Sequence, residues 1–263
     1  MTLNYFKYLI KEILLLFEGK QVKLDREACF ENQLKKGLNE IPVFIISYNR
    51  LSYIEQMIEQ LEKYGMRNIH IIDNASTYPP LLRYYDTLKY DVIRMKENLG
   101  HMVFWKSNIF EKYRNDFFIL TDPDLQIPEE CPHDFLRIFF ETLKKHPYVR
   151  KVGFSLKIDD LPDSSNMYKD IIEWEKQFHE TYIKKFNIYY AGIDTTFALY
   201  MPERFLKRQN FLSAYRVGKP YEVRHLPWYK SDRDITEEDI YYSEHKKNGW
   251  SDPVKGFKPD ERE

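Results

Sequence analysis

The chain has 263 residues, enough to bury a sizeable core as one large domain of two abutting halves. Its 40 Lys and Arg nearly balance 41 Asp and Glu, so no global field draws it to nucleic acid. A composition of 43% hydrophobic and 31% charged residues excludes a disordered chain. Cys29 and Cys131 lack metal-ligand spacing and fit a reducing compartment at least as well as a disulfide.

Residues 1–40 are expected to form a helical extension with a polar end. Within it, Tyr8 to Phe17 is apolar but broken by Lys11 and Glu12, so it reads as an amphipathic helix and not as a membrane span. It packs on its own domain or, through residues 5–17, touches a membrane surface. No secretory signal is evident. Val43-Phe44-Ile45-Ile46 then reads as a buried strand ending in Ser47-Tyr48-Asn49-Arg50. A helix follows: Ser52 and Glu55 have capping-box spacing, Leu51, Ile54, Ile58 and Leu61 share a face, and Gly65 supplies the stop.

The cycle repeats. Ile69-His70-Ile71-Ile72 ends in Asp73-Asn74-Ala75-Ser76, and Pro79 and Pro80 precede a helical stretch near Leu82 to Leu88. Val92-Ile93-Arg94-Met95 leads to Asn98-Leu99-Gly100, and Met102 to Tyr113 reads as helix. Phe117-Phe118-Ile119-Leu120 is a further strand, followed by Thr121-Asp122-Pro123-Asp124. Alternation of this kind predicts an α/β fold, a mainly parallel central sheet with helices on both faces.

In the second half a helix is expected from about Pro128 to Pro147, a strand over Val152 to Leu156 and a helix from Ile171 to Phe186. Ile188 to Tyr200 reads as a strand pair or a bent strand. His225-Leu226-Pro227-Trp228-Tyr229 precedes Thr236, which caps a helix whose first turn holds Glu237, Glu238 and Asp239. Lys255 to Glu263 reads as a polar tail.

In open parallel sheets, ligands bind beyond the carboxyl ends of the strands. Ser47/Asn49, Asp73/Asn74, Asn98/Gly100 and Asp122/Asp124 all fall just past an apolar run, and so share one rim. In extended chain, residues two apart face the same side, so Asp122 and Asp124 converge. Two carboxylates suit Mg²⁺ or Mn²⁺. A strand-ending Asp-Pro turn accounts for the same residues without a metal.

Taken in order, Ile41 to Arg50, Ile72 to Ser76, Asn98 to Gly100 and Asp122-Pro123-Asp124 resemble the successive blocks of family-2-type glycosyltransferases with the GT-A fold. Glu238-Asp239-Ile240-Tyr241-Tyr242, with Gly249-Trp250 behind it, is similar to that family's later Glu-Asp block and trailing Gly-aromatic pair. The resemblance implies a nucleotide-sugar-binding half over 41–130 and an acceptor-binding, catalytic half over 131–254. Ser47, Tyr48, Asn49 and Arg50 would line the nucleotide pocket, and Asp73 would meet the base. Asn98 and Gly100 would lie near ribose and diphosphate, and Asp122 near ribose or metal. Asp124 would hold Mn²⁺ or Mg²⁺, with His225 as a further ligand. Asp239 or its neighbour Glu238 would be the general base, with Asp194 as second candidate for base or sugar contact. Trp228 would be an acceptor platform. The implied partners are a nucleoside-diphosphate sugar, UDP-linked by preference, and a glycan or lipid-linked glycan. The implied setting is cytoplasmic and membrane-peripheral synthesis of surface polysaccharide or lipopolysaccharide.

The chemistry gives these residues a reason. Charge grows on the departing diphosphate, which a metal held by carboxylates neutralises, and a carboxylate must take the proton of the acceptor hydroxyl. Base and leaving group on opposite faces of the sugar give inversion. Two alternatives compete. A haloacid-dehalogenase-type phosphatase also places Asp-x-Asp after a strand, with Asp159-Asp160 as its later acids, but Gln126 stands where its Thr or Val belongs. A catalytically silent glycan- or nucleotide-binding module shares the fold.

Overall fold

The computed structural model describes residues 3–16, 19–205, 213–246 and 251–257. Two helices, α1 (Leu3–Leu16) and α2 (Lys20–Lys36), form the N-terminal extension. They are not a detached arm: Tyr8 and Phe30 enter the core, and Phe30 meets Phe117 and Phe140 edge-on at 4.9 and 4.8 Å. The first half then runs β1 (Val43–Ser47), α3 (Leu51–Lys63), β2 (Ile69–Asp73), α4 (Pro79–Tyr85), β3 (Asp91–Arg94), α5 (Val103–Lys106), α6 (Ile109–Tyr113) and β4 (Phe118–Thr121). The second half runs β5 (Leu125–Gln126), α7 (Phe135–Lys145), β6 (Lys151–Leu156), α8 (Tyr168–Lys176), β7 (Tyr182–Ile183), β8 (Ile188–Tyr190), β9 (Ala198–Tyr200), β10 (Ala214–His225) and α9 (Glu237–His245). A small hairpin of β11 (Ser251–Asp252) and β12 (Gly256–Phe257) follows.

Among the described residues ten strands form one sheet, ordered β3-β2-β1-β4-β9-β6-β10-β8-β7, with β5 pairing β10 off that path. The strands β3, β2, β1 and β4 are mutually parallel, β6 and β10 are parallel, and β9 runs antiparallel between the two sets. Every residue of β1 is buried, as a strand covered on both faces requires. Alternation sends Val43 and Ile45 to the side of Ile54, Met57, Ile58 and Leu61 of α3. Phe44 and Ile46 go to the other side, against Val103 and Phe104. Gly65, at φ +79°, ends α3 as the sequence predicts, with Met66 N–H donating to Leu61 O at 2.9 Å.

Several expectations shift. The helix expected over Met102 to Tyr113 is two short pieces broken at Ser107, whose hydroxyl donates to Phe104 O at 3.3 Å. Pro79 and Pro80 begin α4 and do not precede it, because proline fits the first helical turn. The helix expected from Pro128 starts at Phe135, since Pro132 disfavours helix in the residue before it. The helix expected to reach Phe186 stops at Lys176. The Ile188 to Tyr200 segment is not a strand pair: β8 lies on β10, whereas β9 fills the gap between β4 and β6. Strand β10, twelve residues long, has no counterpart in the sequence reading. Its Gly218-Lys219-Pro220 reads as a turn, yet it forms a bulge that shifts the β6 register between Val217 and Glu222.

The β6–β9 contact is tight at Gly153. A Cβ there would stand 2.3 Å from Phe197 O and 2.9 Å from the Ala198 Cβ. Gly153→Ala should therefore lower stability by about 1–3 kcal/mol, as overpacking does. A urea titration with unchanged midpoint would contradict this close approach.

Candidate active site

The polar ends of β1, β2 and β4 do share one rim, and the loops there are tied to each other. Asn49, at φ +51°, is fully buried, and its Oδ1 accepts from Thr77 N at 2.7 Å and Tyr78 N at 3.0 Å. It fastens the β1 loop to the β2 loop. Ser47 is buried beneath, accepting from the Tyr85 hydroxyl at 2.8 Å. Asp73 accepts from Ser76 N at 3.0 Å and from Arg94 Nε at 3.2 Å. Asn74 donates to Asn98 Oδ1 at 2.9 Å and to Gly100 O at 3.0 Å, while Asn98 Oδ1 also accepts from Gly100 N. Asn98 and Gly100 thus form an ordered loop beside Asp73, with Gly100 at φ +72°.

The acids meet a histidine that the sequence separates from them widely. In the two-residue β5–β10 pairing, His225 lies opposite Leu125, and Leu226 N donates to Asp124 O at 2.8 Å. His225 Nε2 comes within 3.6 Å of Asp124 Oδ2. Among the described residues, Asp124 Oδ1 and His225 Nδ1 are buried without a hydrogen-bond partner. Burial, with Arg50 nearby, holds the imidazole below its ordinary pKa against the pull of Asp124, which favours the neutral ring. Burial pushes Asp122 well above the usual carboxylate range, and repulsion from Asp124 adds to it; the Thr195 hydroxyl, which donates to Asp122 Oδ2, opposes both.

Arg50 closes one side of this group. It is 3% exposed, lies between the rings of Tyr53 and Tyr242 at 4.9 and 3.8 Å, and has Nε and Nη1 unpartnered. Tyr53 OH and Gln56 Nε2 are buried and unpartnered on the adjoining turn of α3. A water-excluded guanidinium and neutral donors beside Asp124 make a setting for a large anion that brings a cation with it.

A divalent cation would find two donors here, Asp124 and His225. Among the described residues no cluster of three His, Cys, Asp or Glu could hold an ion. A pair of protein ligands is nevertheless what Mg²⁺-type ions use when phosphate oxygens complete the shell, and the buried, unpartnered Asp124 Oδ1 points to such a role.

The three carboxylates considered as base are placed differently. Glu238 caps α3 from outside it: its Oε2 accepts from Leu51 N at 2.7 Å and Ser52 N at 3.0 Å, and its Oε1 from the Ser52 hydroxyl at 2.6 Å. The expected Ser52–Glu55 capping box is therefore replaced by a carboxylate from α9. Asp239 is buried and forms the capping box with Thr236; its Oδ2 also receives the Lys230 ammonium. Burial opposes its ionisation, but the bonds from Lys230 and Thr236 prevail and hold its pKa below the ordinary value. Asp194 is half-buried, and among the described residues its carboxylate accepts no hydrogen bond; it stands electrostatically close to Asp122.

Trp228 is buried with its ring 4.8 Å from that of His225, so it backs the histidine and is not an open platform. Tyr48 donates to His245 O at 2.8 Å and packs on Tyr242, under α9. Gly249-Trp250 lies outside the described residues. Asp159 and Asp160 sit apart, in ion pairs with Lys157, Lys219 and Arg224. Cys29 and Cys131 are free thiols. Thr195, Lys230 and Tyr53 were missed as site residues, because their roles arise from contacts across the chain.

The mixed α/β sheet and its polar rim are the arrangement that the resemblance to family-2-type glycosyltransferases implies. The family model described as glycosyl transferase family 2 matches residues 43–206, and the chain belongs to that family. Among solved structures, the crystal structure of S. aureus TarS 1-349 is similar over 71% of this chain, at 14% identity and a TM-score of 0.43. This chain spans 60% of that one. No curated protein matches the chain.

Beneath Asp194, Lys151 is fully buried, and burial lowers its pKa to about 7, with the Asp194 carboxylate partly opposing. In the unfolded chain a lysine keeps its proton up to about 10.5. The unfolded state therefore binds more protons between these values, and stability should rise with pH from about 7 towards 10, by up to about 1.4 kcal/mol per unit. Urea denaturation across that window checks this, and Lys151→Met should flatten the rise.

Proposed function

We propose that the protein transfers a sugar from a nucleoside diphosphate, UDP by preference, to a hydroxyl of a glycan or lipid-linked glycan, with a divalent metal and with inversion. The observation that carries this reading is the Asp124–His225 pair with a buried unpartnered atom on each residue. Asp124 and His225 would hold Mn²⁺ or Mg²⁺, with Asp122 alongside. When bound, the cation supplies Lewis-acid neutralisation of the departing diphosphate. Arg50 donates to the same diphosphate from a dry pocket, where such bonds are strong. Asp73, with Arg94, faces the nucleobase, and the Asn74–Asn98–Gly100 loop lies along the ribose. The 41–130 half thus binds donor, and the 131–254 half brings His225 and Asp194. Asp194 takes the acceptor proton, since Glu238 is committed to the end of α3 and Asp239 to its own helix cap.

Surface-polysaccharide or lipopolysaccharide assembly in the cytoplasm is the setting this chemistry suits. Among the described residues no helix is long and apolar enough to cross a membrane. Leu3, Phe6, Ile10 and Ile13 lie exposed on α1, consistent with a peripheral contact that brings a lipid-linked acceptor within reach. The phosphatase alternative loses its second acidic pair to surface ion pairs. A silent binding module is separated from the enzyme by turnover.

Two measurements test the reading. UDP with Mn²⁺ should stabilise the protein by about 2.7 kcal/mol at one hundred times the dissociation constant, and Asp124→Asn should remove the metal-dependent part. A panel of UDP, GDP and dTDP that never shifts the melting temperature would sink the proposal. For the base, Asp194→Asn should cut turnover about 10²–10⁴-fold with donor binding intact. Asp239→Asn should instead cost about 1–3 kcal/mol of stability while turnover persists. The reverse pattern would return the role to Asp239.

A further inference from the structure

The segment from Gly192 to Thr195 precedes β9 and is gripped from both sides. Arg216 Nε donates to Gly192 O at 2.8 Å, and Arg216 is itself fixed by a buried ion pair with Glu175 at 2.8 Å. Lys151 Nζ donates to Asp194 O and to the Tyr200 hydroxyl, both at 3.0 Å. Side chains from β10 and β6 thus satisfy two carbonyls of the segment. The segment also meets the acids. Asp122 N donates to Thr195 O at 3.0 Å, and the Thr195 hydroxyl donates to Asp122 Oδ2. Thr195 is 3% exposed and Lys151 is fully buried, so little in this clamp has room to turn.

We infer that Thr195 is the positioning residue of the Asp122 carboxylate at the metal site: its hydroxyl fixes Asp122 Oδ2, and Lys151 and Arg216 fix the segment that carries Thr195. The inference rests on the metal reading above. A carboxylate with one oxygen held by a hydroxyl presents the other in a single orientation. Without that bond Asp122 turns freely beside Asp124, and the cation loses an ordered partner. Partners of metal ligands typically contribute about ten- to hundredfold in metal affinity.

The test is Mn²⁺ uptake in the presence of saturating UDP, followed by the loss of the free-ion electron paramagnetic resonance signal and independent of turnover. Thr195→Val keeps the shape and removes the donor; it should weaken Mn²⁺ binding about ten- to hundredfold. Thr195→Ser restores the hydroxyl and should bind within about threefold of the parent, an outcome that a mere packing role for the side chain does not give. Thr195→Ala carries the same comparison if valine disturbs the fold. Parent-like Mn²⁺ binding by the hydroxyl-free variants overturns this inference alone. Failure of the parent to take up Mn²⁺ with UDP overturns the metal reading and this inference with it.

Discussion

The site depends on a very short piece of antiparallel pairing, β5 against the end of β10. Two residue pairs bring His225 beside the Asp-Pro-Asp loop, and the Leu226 N–H bond to Asp124 O locks the register. Because side chains alternate along a strand, a slip of one residue would turn His225 away from Asp124. The bulge at Gly218 to Pro220 lies upstream on the same strand and sets how β10 enters that pairing. The remainder of β10 packs between β6 and β8, so the histidine is placed by an interior strand of the sheet.

The grouping of charge is costly to fold. Asp122 and Asp124 are held together under partial burial, which raises the Asp122 pKa, and Arg50 is buried with two nitrogens unpartnered. Each unmet buried polar group costs about 1–3 kcal/mol. The stacking of Arg50 between Tyr53 and Tyr242 offsets part of that cost, since a guanidinium lies well against aromatic faces. The arrangement makes sense if a dianionic leaving group with its cation supplies the missing partners, which is the electrostatic preorganisation that group transfer needs.

Much of this was legible in the sequence wherever burial and local chemistry agreed. Val43 to Ser47, Ile69 to Asp73 and Phe118 to Thr121 are apolar on both faces, and their polar ends could be aligned on one rim before any coordinates. Asp122 and Asp124 do lie close to each other, but through a bend at Pro123-Asp124 between β4 and β5 and not through the extended chain that periodicity assumed. Strand β10 was not legible: it carries Arg216 and Glu222, both buried by partners distant in sequence, and interrupts itself with a turn-like tripeptide. Thr195 carried no signal either, since an ordinary threonine before a strand gains meaning only from the carboxylate it meets.

The α9 acids show the same limit in a different way. Three carboxylates in the first turn of a helix are explained by that helix's own dipole, and Asp239 does cap it. Glu238, one position earlier, points outward and caps α3, whose free N–H groups lie just past the Ser47 to Arg50 block. Tyr242 stacks on Arg50, Tyr241 meets the Thr77 hydroxyl at 3.0 Å, and Tyr48 reaches His245 O. Helix α9 is thus bound to the β1 and β2 loops by one carboxylate and three tyrosines. The N-terminus that parallel α/β folds commonly turn toward a phosphate is already capped by a side chain here. Under the proposed function the diphosphate therefore falls to Arg50, Asp124 and His225 and not to the end of α3. An anion there would give a reason for an arginine buried between Tyr53 and Tyr242 with Nε and Nη1 unpartnered among the described residues.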